Sequence, residues 1–141
     1  MLRLIATRAH SSWQLRQKLL RKGCPPDEAD KAVARLYELG CLDDAAFGRA
    51  LVTRRLAARG PMVIAAELAA AGISRDLAAQ LLDEVGPEEE LAAAVRLAER
   101  VPDLETTRLA KRLWQRGFSP GVVRAVAGRH ERRFASNSGR D

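Results

Sequence analysis

Three glycines, at positions 23, 72 and 117, mark corresponding places in three stretches that carry the same pattern of apolar residues. The glycines are 49 and 45 residues apart, and self-similarity at a nearly fixed period is typical of repeat proteins. The apolar residues at positions −8, −4, +1, +9 and +10 from each glycine are Leu15, Leu19, Cys24, Ala32 and Val33; Ile64, Leu68, Ile73, Leu81 and Leu82; and Leu109, Leu113, Phe118, Val126 and Ala127. Because residues four apart share one helix face, the pattern predicts a helical unit that occurs three times.

The composition favours helices, since the chain is rich in Ala, Leu, Arg and Glu, which are all strong helix formers. No run alternates apolar and polar residues between turn signals, so we expect little or no sheet. Glycines and prolines divide the chain into nine predicted helices, which span 2–8, 11–22, 26–39, 43–59, 61–71, 74–85, 87–101, 104–116 and 119–131. The sequence therefore predicts an all-α fold of three tandem three-helix, helix-turn-helix-like repeats in an elongated, curved array.

The glycine spacing also sets the predicted limits of each unit. We place unit 1 at residues 1–42, unit 2 at 43–86 and unit 3 at 87–133, with helix 43–59 bridging units 1 and 2. The tail 134–141 has no apolar stripe, so we expect it to be disordered.

Several helix ends are specified by local residues. Ser11 and Gln14 have the spacing of a capping box, and Asp43 or Asp44 can cap the fourth predicted helix. Each of the three repeated glycines stands where a left-handed residue would end a helix.

Charge is distributed unevenly along the chain, whose formal net charge is +6. Residues 1–60 carry a net charge of +6, residues 61–105 one of −7, and residues 106–141 one of +7. Basic surfaces attract polyanions and release their counterions, which favours a nucleic-acid partner for the two ends. The acidic middle fits a protein partner better, and the alternative for any single run of charge is a solvated helix face.

The chain lacks the sequence patterns of an enzyme. It contains no Gly-rich phosphate loop, no nucleophile elbow and no His pair at metal-ligand spacing. Of its two histidines, we expect His10 in a turn and His130 exposed on the last basic helix. We interpret Glu88, Glu89 and Glu90 as a first helical turn of carboxylates in preference to a metal site. We therefore predict no catalytic residue, no cofactor and no metal.

Other features bear on location and on the core. No stretch approaches the ~20 apolar residues of a membrane span, and we expect a cytoplasmic protein with reduced, buried thiols at Cys24 and Cys41. The two tryptophans, Trp13 and Trp114, are either core anchors or exposed surfaces on which nucleic-acid bases stack. We favour core anchors for both.

Four segments, in order, carry a resemblance to a known family. The stretch LYELGCLDDAAFGRALV, residues 36–52, resembles the signature of the RecX family, whose members are bacterial regulators of the RecA recombinase. HSSWQLRQKLLRKG, RGPMVIAAELAAAGI and KRLWQRGFSPGVVRAV are similar to that family's first, second and third units. The resemblance covers roughly residues 1–131 and implies three tandem three-helix repeats.

Three residues depart from the family pattern. Cys41 stands where the family usually has an aromatic residue, and Gly48 where it usually has alanine, which suggests a locally smaller core. Ala71 replaces a position that is often basic, which strengthens the charge contrast between the units.

The resemblance also implies a function. Such proteins bind active RecA filaments, lie in the filament groove and block or cap filament growth, and they thereby lower ATP hydrolysis, strand exchange and co-protease activity. We expect a monomer that contacts the filament, and secondarily DNA, through Arg16, Arg21, Lys22, Arg54, Arg55, Arg59, Lys111, Arg112 and Arg116. The alternative is a free-standing helix-turn-helix regulator of transcription, which would bind duplex DNA. Leu42, Asp43, Asp44 and Phe47 we assign to structure.

Overall fold

The computed structural model describes residues 10–138, and this part of the chain forms eight helices and no strand. The helices are α1 (Ser12–Arg21), α2 (Pro26–Glu38), α3 (Asp44–Leu56), α4 (Pro61–Ala70), α5 (Arg75–Asp83), α6 (Pro87–Glu99), α7 (Thr106–Gln115) and α8 (Pro120–Ser138). The predicted helix 2–8 lies outside the described residues. Each of the other eight predicted helices has a counterpart, and the all-α prediction is confirmed.

The repeated glycines end helices as predicted. Gly23, Gly72 and Gly117 have φ values of 91°, 81° and 88°, in the left-handed region that glycine adopts at little cost. At Gly72 the N–H of Ile73 donates to the carbonyl of Leu68 at 3.0 Å, and equivalent bonds follow Gly23 and Gly117. This bond joins the −4 and +1 columns of the repeat, which explains why both columns are apolar.

The predicted helix starts are also present. Gln14 and Ser11 form the capping box, with the Gln14 N–H donating to Ser11 Oγ and the Ser11 N–H donating to Gln14 Oε1, each at 3.1 Å. Asp43 caps α3 by accepting a hydrogen bond from the Ala46 N–H at 3.0 Å. The structural role that we assigned to Asp43 is therefore confirmed.

The helices pack in three groups. Helix α1 packs on α2, helices α3, α4 and α5 pack on one another, and α8 packs on both α6 and α7. The repeat columns fill the cores of the second and third groups, where Ile64, Leu68, Leu109, Leu113 and Phe118 have no exposed surface. The tandem three-helix organisation is thus present in the structure, whereas the exact unit limits and the curvature of the array stay predictions.

The last helix is longer than the sequence indicates. It continues through Ser138, whereas we expected disorder from Phe134 onward. The prediction that His130 is exposed is also wrong, because its side chain is buried and its Nε2–H donates to the Leu104 carbonyl oxygen. This hydrogen bond anchors the last helix on the segment before α7, and the His130 and Phe134 rings, one turn apart on the same helix, lie with their centroids 6.4 Å apart.

The acidic first turn of α6 contains one residue with a role that the sequence did not indicate. Glu88 and Glu89 are exposed, as expected of carboxylates at the positive end of a helix dipole. Glu90, however, is 6% exposed, and its Oε1 accepts a hydrogen bond from the Ser119 N–H at 2.7 Å. This bond ties the start of α6 to the residue that precedes α8.

Replacing Glu90 by alanine should lower the free energy of unfolding by about 1.5–3 kcal/mol, because it leaves the Ser119 N–H without its charged acceptor. The measurement is urea denaturation followed by circular dichroism. Glu89→Ala is the control, since Glu89 is exposed in the same helical turn. Equal unfolding midpoints for the two variants would contradict the assigned role of Glu90.

Candidate protein and nucleic-acid interface

Unit 1 is joined to unit 2 where the start of α1 meets the end of α4. The Ser11 hydroxyl donates to the Ala71 carbonyl oxygen, and Trp13 lies over Gly72, with its Cβ, Cγ and Cδ2 atoms in the space that a side chain at Gly72 would fill. Asp44 adds a second link, because its carboxylate accepts hydrogen bonds from the Ser12 N–H at 2.8 Å and the Ser12 hydroxyl at 2.7 Å. These bonds fix the orientation of α1 on unit 2.

Unit 2 is joined to unit 3 in a related way, where the start of α4 meets the end of α7. The Gly60 N–H donates to the Arg116 carbonyl at 2.7 Å, and the Met62 N–H donates to the Gly117 carbonyl at 3.1 Å. The Arg116 guanidinium returns a hydrogen bond to the Ala58 carbonyl at 3.1 Å. Gly60 is buried, and a Cβ there would overlap the backbone of Gly117 and Phe118.

The two junctions use the same positions of the repeat. Ser11 and Gly60 each stand 12 residues before the glycine of their own unit, and each contacts the residue just before the next unit's glycine. Those contacted residues are Ala71 and Arg116. The periodicity therefore includes the contacts between units as well as the cores within them. Sequence comparison misses these columns because their members share no residue type.

Four of the nine predicted contact cations have a partner within the protein. Arg16 pairs with Asp30 at 2.6 Å, and Arg116 hydrogen-bonds the Ala58 carbonyl. Glu67 pairs with both remaining cations of this group, with Arg55 at 2.8 Å and with Arg59 at 3.8 Å. Because their guanidinium groups already have intramolecular ion pairs or hydrogen bonds, these four residues are weaker candidates for contact with another molecule.

The other five predicted cations are exposed and have no ion pair within residues 10–138. They are Arg21, Lys22, Arg54, Lys111 and Arg112. Lys18, on the same helix as Arg21, is half-buried and also unpaired in the described part of the chain. The free cations of units 1 and 3 thus lie at and just beyond the end of α1 and along α7, which are equivalent helices of the repeat.

Two carboxylates of the acidic stretch, residues 61–105, are neutralised by arginines on or just after α3. Glu67 faces two of them, and Glu84 accepts a bidentate pair of hydrogen bonds from Arg49, both 2.9 Å long. The hydrogen bonds from Arg49 lower the pKa of Glu84, and those to Glu84 raise the pKa of Arg49. The pair links α3 to α5, so these carboxylates stabilise unit 2 besides setting its surface charge.

Both tryptophans are exposed, and our interpretation of them as core anchors is wrong. Trp13 is 47% exposed and Trp114 is 56% exposed. Neither lies on the −8 or −4 column that forms the core face, a signal that could have placed both on the surface. Trp13 borders a groove lined with polar and basic side chains, whereas the groove beside Trp114 is lined mainly by apolar residues of α4, including Met62.

Other sequence predictions concern metals, thiols and membranes. Within residues 10–138, no three side chains of His, Cys, Asp or Glu come together as a metal site. Cys24 and Cys41 are free thiols, and both are half-buried, which is less than we expected. None of the helices in this range combines the length and hydrophobicity that crossing a bilayer requires.

Comparison with known proteins places this architecture in a family. The family model for the first three-helix domain of RecX matches residues 1–36, and the model for the second matches residues 43–82. The regulatory protein RecX of a Thermus thermophilus strain is 36% identical over 122 residues, covering 86% of this chain and 83% of that protein. RecX of Halorhodospira halophila is 35% identical over 134 residues, which cover 89% of this chain and 83% of that protein.

Solved structures agree on the fold. The crystal structure of RecX from Lactobacillus salivarius superposes with a TM-score of 0.78 over 93% of this chain and 99% of that one, at 17% identity. Together, the two matching domain models and the relatives above 30% identity establish that this chain belongs to the RecX family of regulatory proteins.

Proposed function

We propose that this protein binds the RecA nucleoprotein filament and inhibits its growth, ATP hydrolysis, strand exchange and co-protease activity. It thereby modulates DNA repair, recombination and the SOS response. It works as a cytoplasmic monomer, and weak, salt-sensitive binding to single- or double-stranded DNA is an auxiliary contact. Family membership and the distribution of charge both support this role.

The observation that carries the proposal is that four of the five free cations predicted to make contact lie on the two outer units. Arg21 and Lys22 lie at the end of α1, and Lys111 and Arg112 lie on α7. In the middle unit, Arg55 and Arg59 pair with Glu67, and Arg54 is the fifth free cation. Hydrogen bonds at both junctions hold the outer units on the middle one. A ligand that is long and polyanionic can therefore be contacted at two separate places by one molecule.

The ATPase activity of RecA on circular single-stranded DNA tests this proposal. We expect inhibition at amounts of this protein well below one per RecA, because one molecule that caps a filament end stops the addition of many subunits. An unchanged rate at equimolar protein would overturn the proposal. Inhibition that disappears when more DNA is added would instead indicate competition for DNA.

The same protein preparation distinguishes the alternative function, regulation of transcription, from the proposed one. A free-standing transcription regulator would prefer one duplex sequence and would bind it as a dimer, to match half-sites about one DNA turn apart. We expect a monomer in sedimentation experiments and no such preference.

A further inference from the structure

Trp13 stands at the edge of an open groove formed by α1. The other residues that line it are His10, Gln14, Gln17, Lys18, Arg21 and Lys22. Helical spacing puts these side chains in two adjacent rows, one with Trp13, Gln17 and Arg21, and one with Gln14, Lys18 and Lys22. The groove therefore has an aromatic ring at one end and cations along its length.

The indole of Trp13 is held in place although nearly half of its surface is exposed. Its Cβ, Cγ and Cδ2 atoms lie over Gly72, and the hydrogen bonds of Ser11 and Ser12 fix the two residues that precede it. A ring that is already ordered loses little conformational freedom when a flat ligand stacks on it.

The cations in this groove are available to a ligand. Within residues 10–138, Lys18, Arg21 and Lys22 form no ion pair, whereas Arg16 on the same helix is paired with Asp30. Helix α1 contains no carboxylate, so nothing on it repels a phosphate. An aromatic surface beside unpaired cations is the arrangement that binds single-stranded nucleic acid, through stacked bases and neutralised phosphates.

The groove beside Trp114 provides a contrast within the same molecule. Besides Trp114 it is lined by Met62, Val63, Ala66, Ala70 and Gly117, and by Glu67, whose carboxylate is paired with Arg55 and Arg59. This lining offers a phosphate no cation, and its apolar side chains offer no hydrogen bond. Exposure of a tryptophan alone therefore does not define the ligand, and the neighbouring charges select the Trp13 groove.

We infer that the Trp13 groove binds single-stranded DNA by stacking one base on the indole while Lys18, Arg21 and Lys22 contact the adjoining phosphates. The strand must be single because neighbouring base pairs cover the faces of bases in a duplex. The inference rests on the proposed function in one respect, since it gives the auxiliary DNA contact a location and a mode.

Fluorescence of a Trp114→Phe variant, in which Trp13 is the sole tryptophan, tests the stacking. Titration with a 15-nucleotide oligothymidine at low salt, without RecA, should quench this fluorescence to saturation. An abasic strand of the same length should bind more weakly and leave the fluorescence unchanged. Saturated binding of oligothymidine, measured by anisotropy of a labelled strand, with no quenching would overturn the inference, and so would an absence of binding.

Two substitutions separate stacking from the structural role of Trp13 over Gly72. Trp13→Leu keeps Cβ and Cγ but has no ring, and should weaken oligothymidine binding by about 5- to 150-fold, the range for loss of one base–aromatic stack. Trp13→Phe keeps a ring and should recover most of the affinity. Equal affinities for the Leu and Phe variants, with circular dichroism unchanged, would exclude stacking.

Salt dependence tests the phosphate contacts. For the triple variant Lys18→Ala, Arg21→Ala, Lys22→Ala, the slope of log K against log salt should be smaller by about 2, since each phosphate contact to a single strand contributes about 0.7. An unchanged slope would show that these three side chains do not contact the phosphates, and would contradict the inference. Measurements without RecA keep this outcome independent of the ATPase assay, so either proposal can fail while the other stands.

Discussion

Replacing Gly60 by alanine should lower the free energy of unfolding by about 2–4 kcal/mol. The added methyl group would overlap backbone atoms of Gly117 and Phe118, which cannot rotate away as a side chain can. Relief of the overlap requires the two segments to separate, which lengthens the hydrogen bonds from Gly60 to Arg116 and from Met62 to Gly117. Overpacking costs about 1–3 kcal/mol, and the two hydrogen bonds, lengthened but not broken, together cost about 1 kcal/mol more.

Gly86→Ala is the matched control for this prediction. Gly86, like Gly60, is the N-cap residue of a helix that begins with proline, but a Cβ at Gly86 meets nothing within 4 Å. We expect it to change stability by no more than about 0.5 kcal/mol. Urea denaturation of both variants measures the difference, and equal midpoints would show that the contact between units 2 and 3 contributes no stability.

Reversing the two free cations of α7, in the double variant Lys111→Glu and Arg112→Glu, should raise the concentration for half-inhibition of the RecA ATPase by about 10- to 100-fold. Both side chains are exposed and unpaired in the described part of the chain, so their reversal leaves the fold of unit 3 intact. Like charges brought together at an interface cost up to several kcal/mol, and the change also slows the association that opposite charges favour.

Arg75→Glu provides a control on the middle unit. Arg75 is exposed at the start of α5 and has no ion pair within residues 10–138, but it lies in the acidic part of the chain. We expect the concentration of the Arg75→Glu variant for half-inhibition of the RecA ATPase to remain within about twofold of that of the unmodified protein. If Arg75→Glu impairs inhibition as much as the α7 variant, net charge and not the location of the cations would determine activity.

The sequence predicted the parts of the fold that depend on local chemistry. Gly23, Gly72 and Gly117 end helices because a left-handed residue is required there, and Ser11 begins one because its hydroxyl binds a free amide. The apolar columns bury as expected, with Leu68 and Leu113 fully inaccessible to solvent. Such features follow from residue type and spacing within about 12 positions.

Most of the features that sequence reasoning missed depend on contacts between different helices. Trp13 is fixed by Gly72, 59 residues away, although its polar helix neighbours give no sign of that contact. Glu90 is buried because it binds the Ser119 amide, and His130 because it binds the Leu104 carbonyl. The set of candidate contact residues changed for the same reason. Arg55 and Arg59 are less available to another molecule because they pair with Glu67, and only the packing of α3 on α4 brings Glu67 within their reach.

The junction between units 2 and 3 depends largely on backbone atoms, and this has a consequence for how such a chain can diverge. An amide and a carbonyl are present at almost every position whatever the side chain, so docking at this junction demands little beyond a small residue at the closest approach. Substitutions on the outward faces can therefore alter one unit's ligand preference while the order and spacing of the units are inherited unchanged. Selection can act on each surface almost separately, so that one scaffold accommodates new partners through successive small steps.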